Sequence, residues 1–154
     1  MTKWPDADPA DVKSVEAVIA AFDDTLSFNP GAFLYNDERL RSLFVPTASI
    51  LCPAPWNIQL SPLEWGGFFA QAAKDLGFTE TGFAEKNHIR KLTTIGHVSS
   101  VYTFYTLHSP PASEAVGQGI NMWHIVNLSG RHAIASLIWE DESETAVTPP
   151  ELMA

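Results

Sequence analysis

Residues 115–139, AVGQGINMWHIVNLSGRHAIASLIW, contain the pattern that decides the fold. Runs of apolar, aromatic and β-branched residues lie on both sides of Ser129-Gly130, a dipeptide typical of a two-residue hairpin turn. We therefore predict strands over Ala115–Leu128 and Arg131–Trp139. Strands joined by so short a turn must pair antiparallel.

Apolar residues occupy both faces of this predicted hairpin. Ile120, Met122 and Val126 form one alternating set, and Trp123 and Ile125 form the other. A strand that is apolar on both faces is covered on both. Helices can cover one face, and we predict that a second copy of the chain covers the other, which makes the protein a homodimer through the outer face of the sheet.

Two further strands are predicted upstream, near Phe83–Ile95 and Val98–His108. Both segments are rich in β-branched and aromatic residues, and Gly96 and Ser109-Pro110-Pro111 separate them from their neighbours. The four strands follow one another along the chain. We therefore expect a continuous antiparallel meander.

Three helical patterns precede these strands. Their predicted limits are Asp8 to Leu26, before the stop Asn29-Pro30-Gly31; Asn36 to Pro46; and the capping box Ser61-Pro62-Leu63-Glu64 to about Leu76. A strand over Thr47–Cys52 is predicted between the second and third helices. Helices first and strands last predict an α+β fold, with three N-terminal helices against a curved mixed or antiparallel sheet.

Composition sets further limits. The chain has 154 residues, is 45% hydrophobic and carries a net charge of −9, which predicts one domain over residues 1–154 with an acidic tail from about residue 142. The negative charge argues against a nucleic-acid partner. No stretch has the ~20 apolar residues of a membrane span. The single cysteine, Cys52, cannot form an internal disulfide and fits a reducing cytoplasm.

The pattern from Leu40 to Ile50, followed by a helix and a meander that ends in Ile138-Trp139-Glu140-Asp141-Glu142, resembles the nuclear transport factor 2-like (NTF2-like) superfamily over the whole chain. Phe83-Ala84-Glu85 and Gly119-Ile120-Asn121 are most similar to an unnamed bacterial branch of its SnoaL-like and ketosteroid isomerase-like members. The resemblance implies a cystatin-like α+β cone. A bent sheet would wrap around a long helix, with a pocket in the mouth.

The same resemblance suggests candidates for chemistry. Ketosteroid isomerases place an aspartate base before a proline where this chain has Cys52-Pro53, and their second acidic group aligns with Asn121. Scytalone dehydratase has a histidine early in its second strand, where this chain has His88. The resemblance therefore implies His88 as acid and base and Asn121 as a hydrogen-bond donor, while an exposed or structural role remains the alternative for His88.

We predict a small-molecule pocket between the first and third helices and the concave face of the sheet. Its predicted lining residues are Phe22, Cys52, Trp56, Phe69, Asn121, Trp123 and Trp139. A mouth lined by aromatic residues with few polar groups suits a flat, apolar molecule. The remaining histidines lack the spacing of metal ligands, so no metal and no cofactor is predicted.

Two functions follow from this pocket. The first is a lyase or isomerase that acts by acid/base chemistry on an apolar carbonyl or cyclic compound. The alternative is a non-catalytic domain that binds a ligand or takes part in protein assembly. The predicted position of His88 distinguishes them, because catalysis requires its ring to converge with the Asn121 amide on one point of the cavity.

Overall fold

The computed structural model describes residues 3–153. The helices within this range are α1 (Pro9–Val12), α2 (Val15–Leu26), α3 (Asp37–Ser42), α4 (Pro62–Asp75), α5 (Phe78–Thr81) and α6 (Pro150–Met153). The strands are β1 (Phe44–Cys52), β2 (Ile58–Leu60), β3 (Ala84–Ile95), β4 (Val98–His108), β5 (Ala115–Leu128) and β6 (Arg131–Asp141). No helix of the described residues is long and apolar enough to cross a membrane.

All the strands belong to one six-stranded sheet with the order β2-β1-β6-β5-β4-β3. Strands β3 to β6 form the predicted antiparallel meander. Strand β1 runs parallel to β6 and pairs with β2 in the antiparallel direction. The sheet is therefore mixed, and the predicted α+β class is confirmed.

Helix α2 packs against one face of the sheet, which we call the inner face. Val18, Ile19 and Phe22 of this helix are almost completely buried. The Phe22 ring meets the Trp123 ring edge-on, with 5.0 Å between centroids, and lies 6.2 Å from Phe44. This packing fixes α2 across the strands that form the site.

The predicted first helix is interrupted at Ser14. This residue has extended backbone angles, and its side chain accepts a hydrogen bond from the backbone N–H of Ala17, so it begins a new helix. The predicted second helix is also shorter than expected. Pro46 lies within β1 instead of ending a helix, at the place where the pairing between β1 and β6 is interrupted and no N–H is needed.

The outer face of the sheet is partly covered by α6 (Pro150–Met153), in the C-terminal segment. The Arg90 guanidinium donates hydrogen bonds to the backbone carbonyls of Leu152 (3.1 Å) and Met153 (3.2 Å), which holds α6 against β3 and β4. Farther along the sheet, Met122 and Ile138 stay 44% and 36% exposed. The acidic tail therefore leaves an apolar part of this face uncovered.

Dimerisation through the outer face stays a prediction. We expect light scattering to give twice the 16.9 kDa mass of one chain. Met122→Glu should shift the mass toward one chain, because a two-fold axis would bury the new charge. Leu34→Glu, at an 80% exposed site away from the sheet, is the control. A single species of 16.9 kDa for the unaltered protein would contradict the dimer.

Candidate functional site

A cavity of about 180 Å³ lies between the inner face of the sheet and helices α2 and α4. Its walls are formed by Phe22, Leu26, Trp56, Trp65, Phe68, Phe69, Ala72, Ala73, Leu76, Phe78, Phe83, Glu85, Tyr105, Leu107, Asn121, Leu137, Trp139 and Asp141. Trp56 and Leu76 are 37% and 54% exposed. The cavity therefore opens beside these two residues.

Most of the wall is aromatic, and α4 supplies a large part of it. The capping box predicted at Ser61 and Glu64 is present and begins this helix, which turns Trp65, Phe68 and Phe69 toward the sheet. The rings of Trp65 and Phe69 are stacked, with an angle of 12° between their planes. Trp139 of β6 stands at 87° to Trp65, so the two rings form a corner.

The opposite end of the cavity is polar. Glu85, Tyr105, Asn121 and Asp141 come from β3, β4, β5 and β6 respectively, and all four line the cavity. The Tyr105 hydroxyl donates a hydrogen bond to the Asp141 carboxylate, which also accepts one from the Trp56 indole N–H at 3.3 Å. The cavity thus has an apolar aromatic end and a hydrogen-bonded acidic end.

Gly119 makes the contact between Tyr105 and Asp141 possible. This glycine pairs with Tyr105 on one side and with Asp141 on the other. A Cβ at this position would lie 2.6 Å from Cζ of Tyr105 and would also collide with the backbone carbonyl oxygen of Glu140. Only glycine leaves room for the hydroxyl to cross β5 and reach the carboxylate.

Asn87, which does not line the cavity itself, positions the acidic end through hydrogen bonds. Its Nδ2 amide donates to Oδ1 of Asp23 at 2.6 Å and to Oε2 of Glu85 at 2.8 Å. Its Oδ1 accepts hydrogen bonds from the Thr103 hydroxyl and from Nδ2 of Asn121 at 2.8 Å. Both amide protons and both lone pairs of Asn87 are therefore used, and the Glu85 side chain is fixed in place.

The environment changes the acidity of both carboxyl groups bound by Asn87. Burial, with the nearby Asp23 carboxylate as the second cause, raises the pKa of Glu85 to about 8. Burial raises the pKa of Asp23 to about 6, although the hydrogen bonds from Asn87 oppose this change. Glu85 is therefore mostly a neutral acid at pH 7 and can exchange a proton near neutrality.

Five of the predicted pocket residues line the cavity, namely Phe22, Trp56, Phe69, Asn121 and Trp139. Cys52 and Trp123 do not. Trp123 is buried behind the wall, where its indole N–H donates to the Thr103 hydroxyl at 2.9 Å. The Cys52 side chain is buried as well, its Sγ lies 3.2 Å from the backbone oxygen of Ala54, and burial raises its pKa to about 11.

His88 does not reach the cavity, which corrects its predicted role in the pocket. It is exposed and lies on the outer face of β3 with Lys86 and Arg90, whereas Glu85 and Asn87 face inward. The pKa of His88 is lowered by partial burial and by these two cations. Because successive residues of a strand point to opposite faces, His88 and Asn121 cannot converge on one point.

Of the acidic end, Asn121 was predicted, whereas Glu85, Tyr105 and Asp141 were missed, although the sequence of β3 contains a usable signal for Glu85. Phe83, Glu85, Asn87 and Ile89 alternate along one face, and Ile89 and Phe83 are typical core residues. The other face carries Lys86, His88 and Arg90, a set that belongs in solvent. Strand parity alone therefore predicts that Glu85 points inward.

One carboxyl group that lines the cavity, that of Glu85, can exchange a proton near neutral pH. Among residues 3–153, no group of three or more histidine, cysteine, aspartate or glutamate side chains is arranged to hold a metal ion. The phenol of Tyr105 keeps its proton, because burial and then the Asp141 carboxylate raise its pKa far above the usual value. Glu85 is therefore the candidate acid or base.

Several solved structures share this architecture. A protein of unknown function from Mycobacterium tuberculosis superposes with a TM-score of 0.61 at 10% identity, over 83% of this chain and 69% of that one. A cystatin-like protein of unknown function from Nostoc punctiforme gives 0.58 at 12% identity, over 84% and 90%. An NTF2-like protein of unknown function from Silicibacter pomeroyi gives 0.55 at 14% identity, over 83% and 92%.

The chain has the cystatin-like fold of NTF2-like proteins. This confirms the resemblance predicted from the sequence at the level of fold. No protein-family model matches the chain, and no curated protein matches it. At identities of 10–14% the structural likeness shows the fold alone, so the function has to be argued from the cavity.

The raised pKa of Glu85 predicts a pH-dependent stability. The unfolded chain loses this proton near the ordinary value of 4.5 and the folded chain near 8. The free energy of unfolding therefore falls as pH rises through this interval, and the loss is complete above it. Glu85→Gln, which mimics the neutral acid, should gain stability relative to the unaltered protein over the same interval.

Urea unfolding at about pH 5, 7 and 9 measures this gain. Glu16→Gln, an equal charge change at an exposed position of α2, should give a difference that varies much less with pH. A Glu85→Gln difference that is constant from pH 5 to 9 would show that Glu85 is not protonated preferentially in the folded protein.

Proposed function

We propose that the protein binds a small, flat, apolar molecule in the cavity, with one polar group of that molecule at the acidic end. This proposal rests on the division of the cavity into an aromatic end and a hydrogen-bonded polar end. Ligand sites commonly combine apolar walls with a few fixed polar groups. Protein interiors are otherwise packed without voids of this size.

The aromatic walls indicate the shape of the ligand. Trp65 and Phe69 present nearly parallel rings, and Trp139 closes the space at a right angle to Trp65. A flat ring system can stack against one surface and meet the other edge-on, which are the two geometries that aromatic rings favour. A ligand of this shape would bury apolar surface that is otherwise exposed to water in the cavity.

Filling the cavity with a larger side chain should weaken ligand binding. Ala72 lines the wall on α4, and Ala72→Phe would place a ring where the ligand ring is expected. We expect compact bicyclic compounds found by thermal-shift screening to bind this variant at least about tenfold more weakly, because the space is occupied.

Ala20→Phe is the matched control, since Ala20 is an exposed residue of α2, and it should bind like the unaltered protein. Isothermal titration calorimetry supplies the affinities. Equal loss of affinity in both variants, or undiminished binding to Ala72→Phe, would show that the compounds do not occupy the cavity.

Proton transfer to the bound molecule is a second candidate function, as in a lyase or isomerase. The observation that favours it is the position of Glu85, which lines the cavity and is held by Asn87. Its pKa of about 8 suits an acid or base that works near neutral pH. In this proposal Glu85, rather than His88, removes a proton beside a carbonyl group and returns it to another carbon.

Deuterium exchange distinguishes catalysis from binding. For a cyclic ketone that binds, we expect NMR in D₂O to show enzyme-dependent exchange of the acidic C–H. Glu85→Gln should slow this exchange by about 10²–10⁴-fold, the usual contribution of one acid/base group, and should affect affinity much less. His88→Ala, on the outer face, should leave the exchange rate unchanged.

Exchange no faster than in buffer would leave ligand binding as the function of the cavity. Equal losses of rate and affinity in Glu85→Gln would show that Glu85 only binds the molecule. Loss of exchange in His88→Ala would contradict the assignment of the acid/base role to Glu85.

A further inference from the structure

The ionisable groups that line the cavity are all acids or phenols. Glu85 and Asp141 are its two carboxyl groups and Tyr105 is its phenol, and none of the lining residues within the described part of the chain is lysine, arginine or histidine. An anionic ligand would therefore enter a site with no positive charge to receive it. A cationic ligand would find two carboxyl groups at the end of an apolar cavity.

Apart from the carboxyl proton of neutral Glu85, the acidic end directs its hydrogen-bond donors at protein acceptors. The Tyr105 hydroxyl donates to Asp141, the Trp56 indole donates to the same carboxylate, and the Asn121 amide donates to Asn87. A carboxylate can accept about four hydrogen bonds. Asp141 accepts two. The Glu85 carboxyl group has contacts with the amides of Asn87, at 2.8 Å, and Asn121, so both carboxyl groups keep lone pairs for a ligand that donates.

The aromatic walls favour the same kind of ligand. Trp65 and Trp139 meet at 87° with 5.8 Å between ring centroids, and Trp56 and Phe68 meet at 88° with 5.3 Å. The faces of aromatic rings carry partial negative charge. Where these rings border the cavity, they attract an ammonium group by cation–π interaction.

The acidities of the cavity groups agree with a negative potential at this end. Burial is the first cause of the raised pKa of Glu85, and the carboxylates of Asp23 and Asp141 add to it. The Tyr105 pKa is raised by burial and then by Asp141. A bound cation would oppose these shifts in both groups.

We propose that the ligand is a small apolar amine, bound as its ammonium ion with N–H groups directed at Glu85 and Asp141 and its ring between the aromatic walls. This inference rests on the binding function proposed above and names the chemical class of its ligand. The site selects against carboxylates and phosphates, which would place a further negative charge beside Glu85 and Asp141 with no cationic lining residue to balance it.

Binding of an ammonium ion at this position should release a proton. Glu85 is mostly protonated at pH 7 and becomes the carboxylate partner of the cation, so its proton passes to the buffer. The groups that face Glu85 are Asp23 from α2, Tyr105 from β4, Asn121 from β5 and Asp141 from β6, together with Asn87 of its own strand. The part of α4 that lines the cavity is apolar or aromatic.

Three compounds of one shape test the proposal on the full chain: 2-aminoindane, indan-2-ol and indane-2-carboxylate. We expect calorimetry at pH 7 to show the amine binding at least about tenfold more tightly than the alcohol and the carboxylate binding most weakly. Titration in buffers of different ionisation enthalpy should show proton release with the amine and none with the alcohol.

Glu85→Gln and Asp141→Asn should each reduce the preference for the amine, and Glu85→Gln should abolish proton release. Glu16→Gln is the control of equal charge change outside the cavity. If one variant fails to fold, the other variant and the comparison of the three compounds on the unaltered protein still decide the question.

The outcomes separate this inference from the binding function. Amine and alcohol binding equally, with both weakened by Ala72→Phe, would overturn the amine class and support the cavity as a binding site. An amine preference that persists in both charge variants would overturn the assigned position of the cation. Absence of binding by all three compounds at millimolar concentration would contradict both proposals.

Discussion

The structure depends on the hydrogen bonds of a single amide, that of Asn87. This side chain joins α2 through Asp23, β4 through Thr103 and β5 through Asn121, and it also holds Glu85 on its own strand. A buried polar group that loses its partner costs about 1–3 kcal/mol. The helix, the three strands and the acidic end of the cavity are therefore positioned together, and none can shift alone without breaking this network.

The parts of the fold that depend on local signals could be predicted from the sequence. Strands β4 and β5 have the predicted limits, Val98–His108 and Ala115–Leu128, because turn residues bound them and β-branched residues fill them. The extension of β1 back to Phe44 and the short β2 were missed. Both depend on pairing with distant residues: β1 lies beside β6, and nothing near Pro46 in the sequence indicates a parallel partner.

The candidate site also has one part that could be predicted from local sequence signals and one part that could not. Its aromatic walls could be predicted, because the spacing of Phe68 and Phe69 on a capped helix determines the face that they occupy. At the acidic end, the resemblance identified Asn121 but not Glu85, Tyr105 or Asp141, because it directed attention to His88 and to the missing aspartate at Cys52. Parity along β3 identifies Glu85 as inward-facing, but its depth and its contact with Asn87 depend on how α2 crosses the sheet.

Gly119 has an evolutionary consequence. A methyl group in place of its α-hydrogen would collide with both the Tyr105 ring and the Glu140 carbonyl oxygen. A substitution at Gly119 therefore creates two separate steric clashes. A second mutation that shortened Tyr105 would relieve only the first, since the carbonyl belongs to the backbone of β6 and no codon removes it. The residues that line the cavity can therefore be substituted more freely in the course of evolution than Gly119, at which almost every substitution should be harmful.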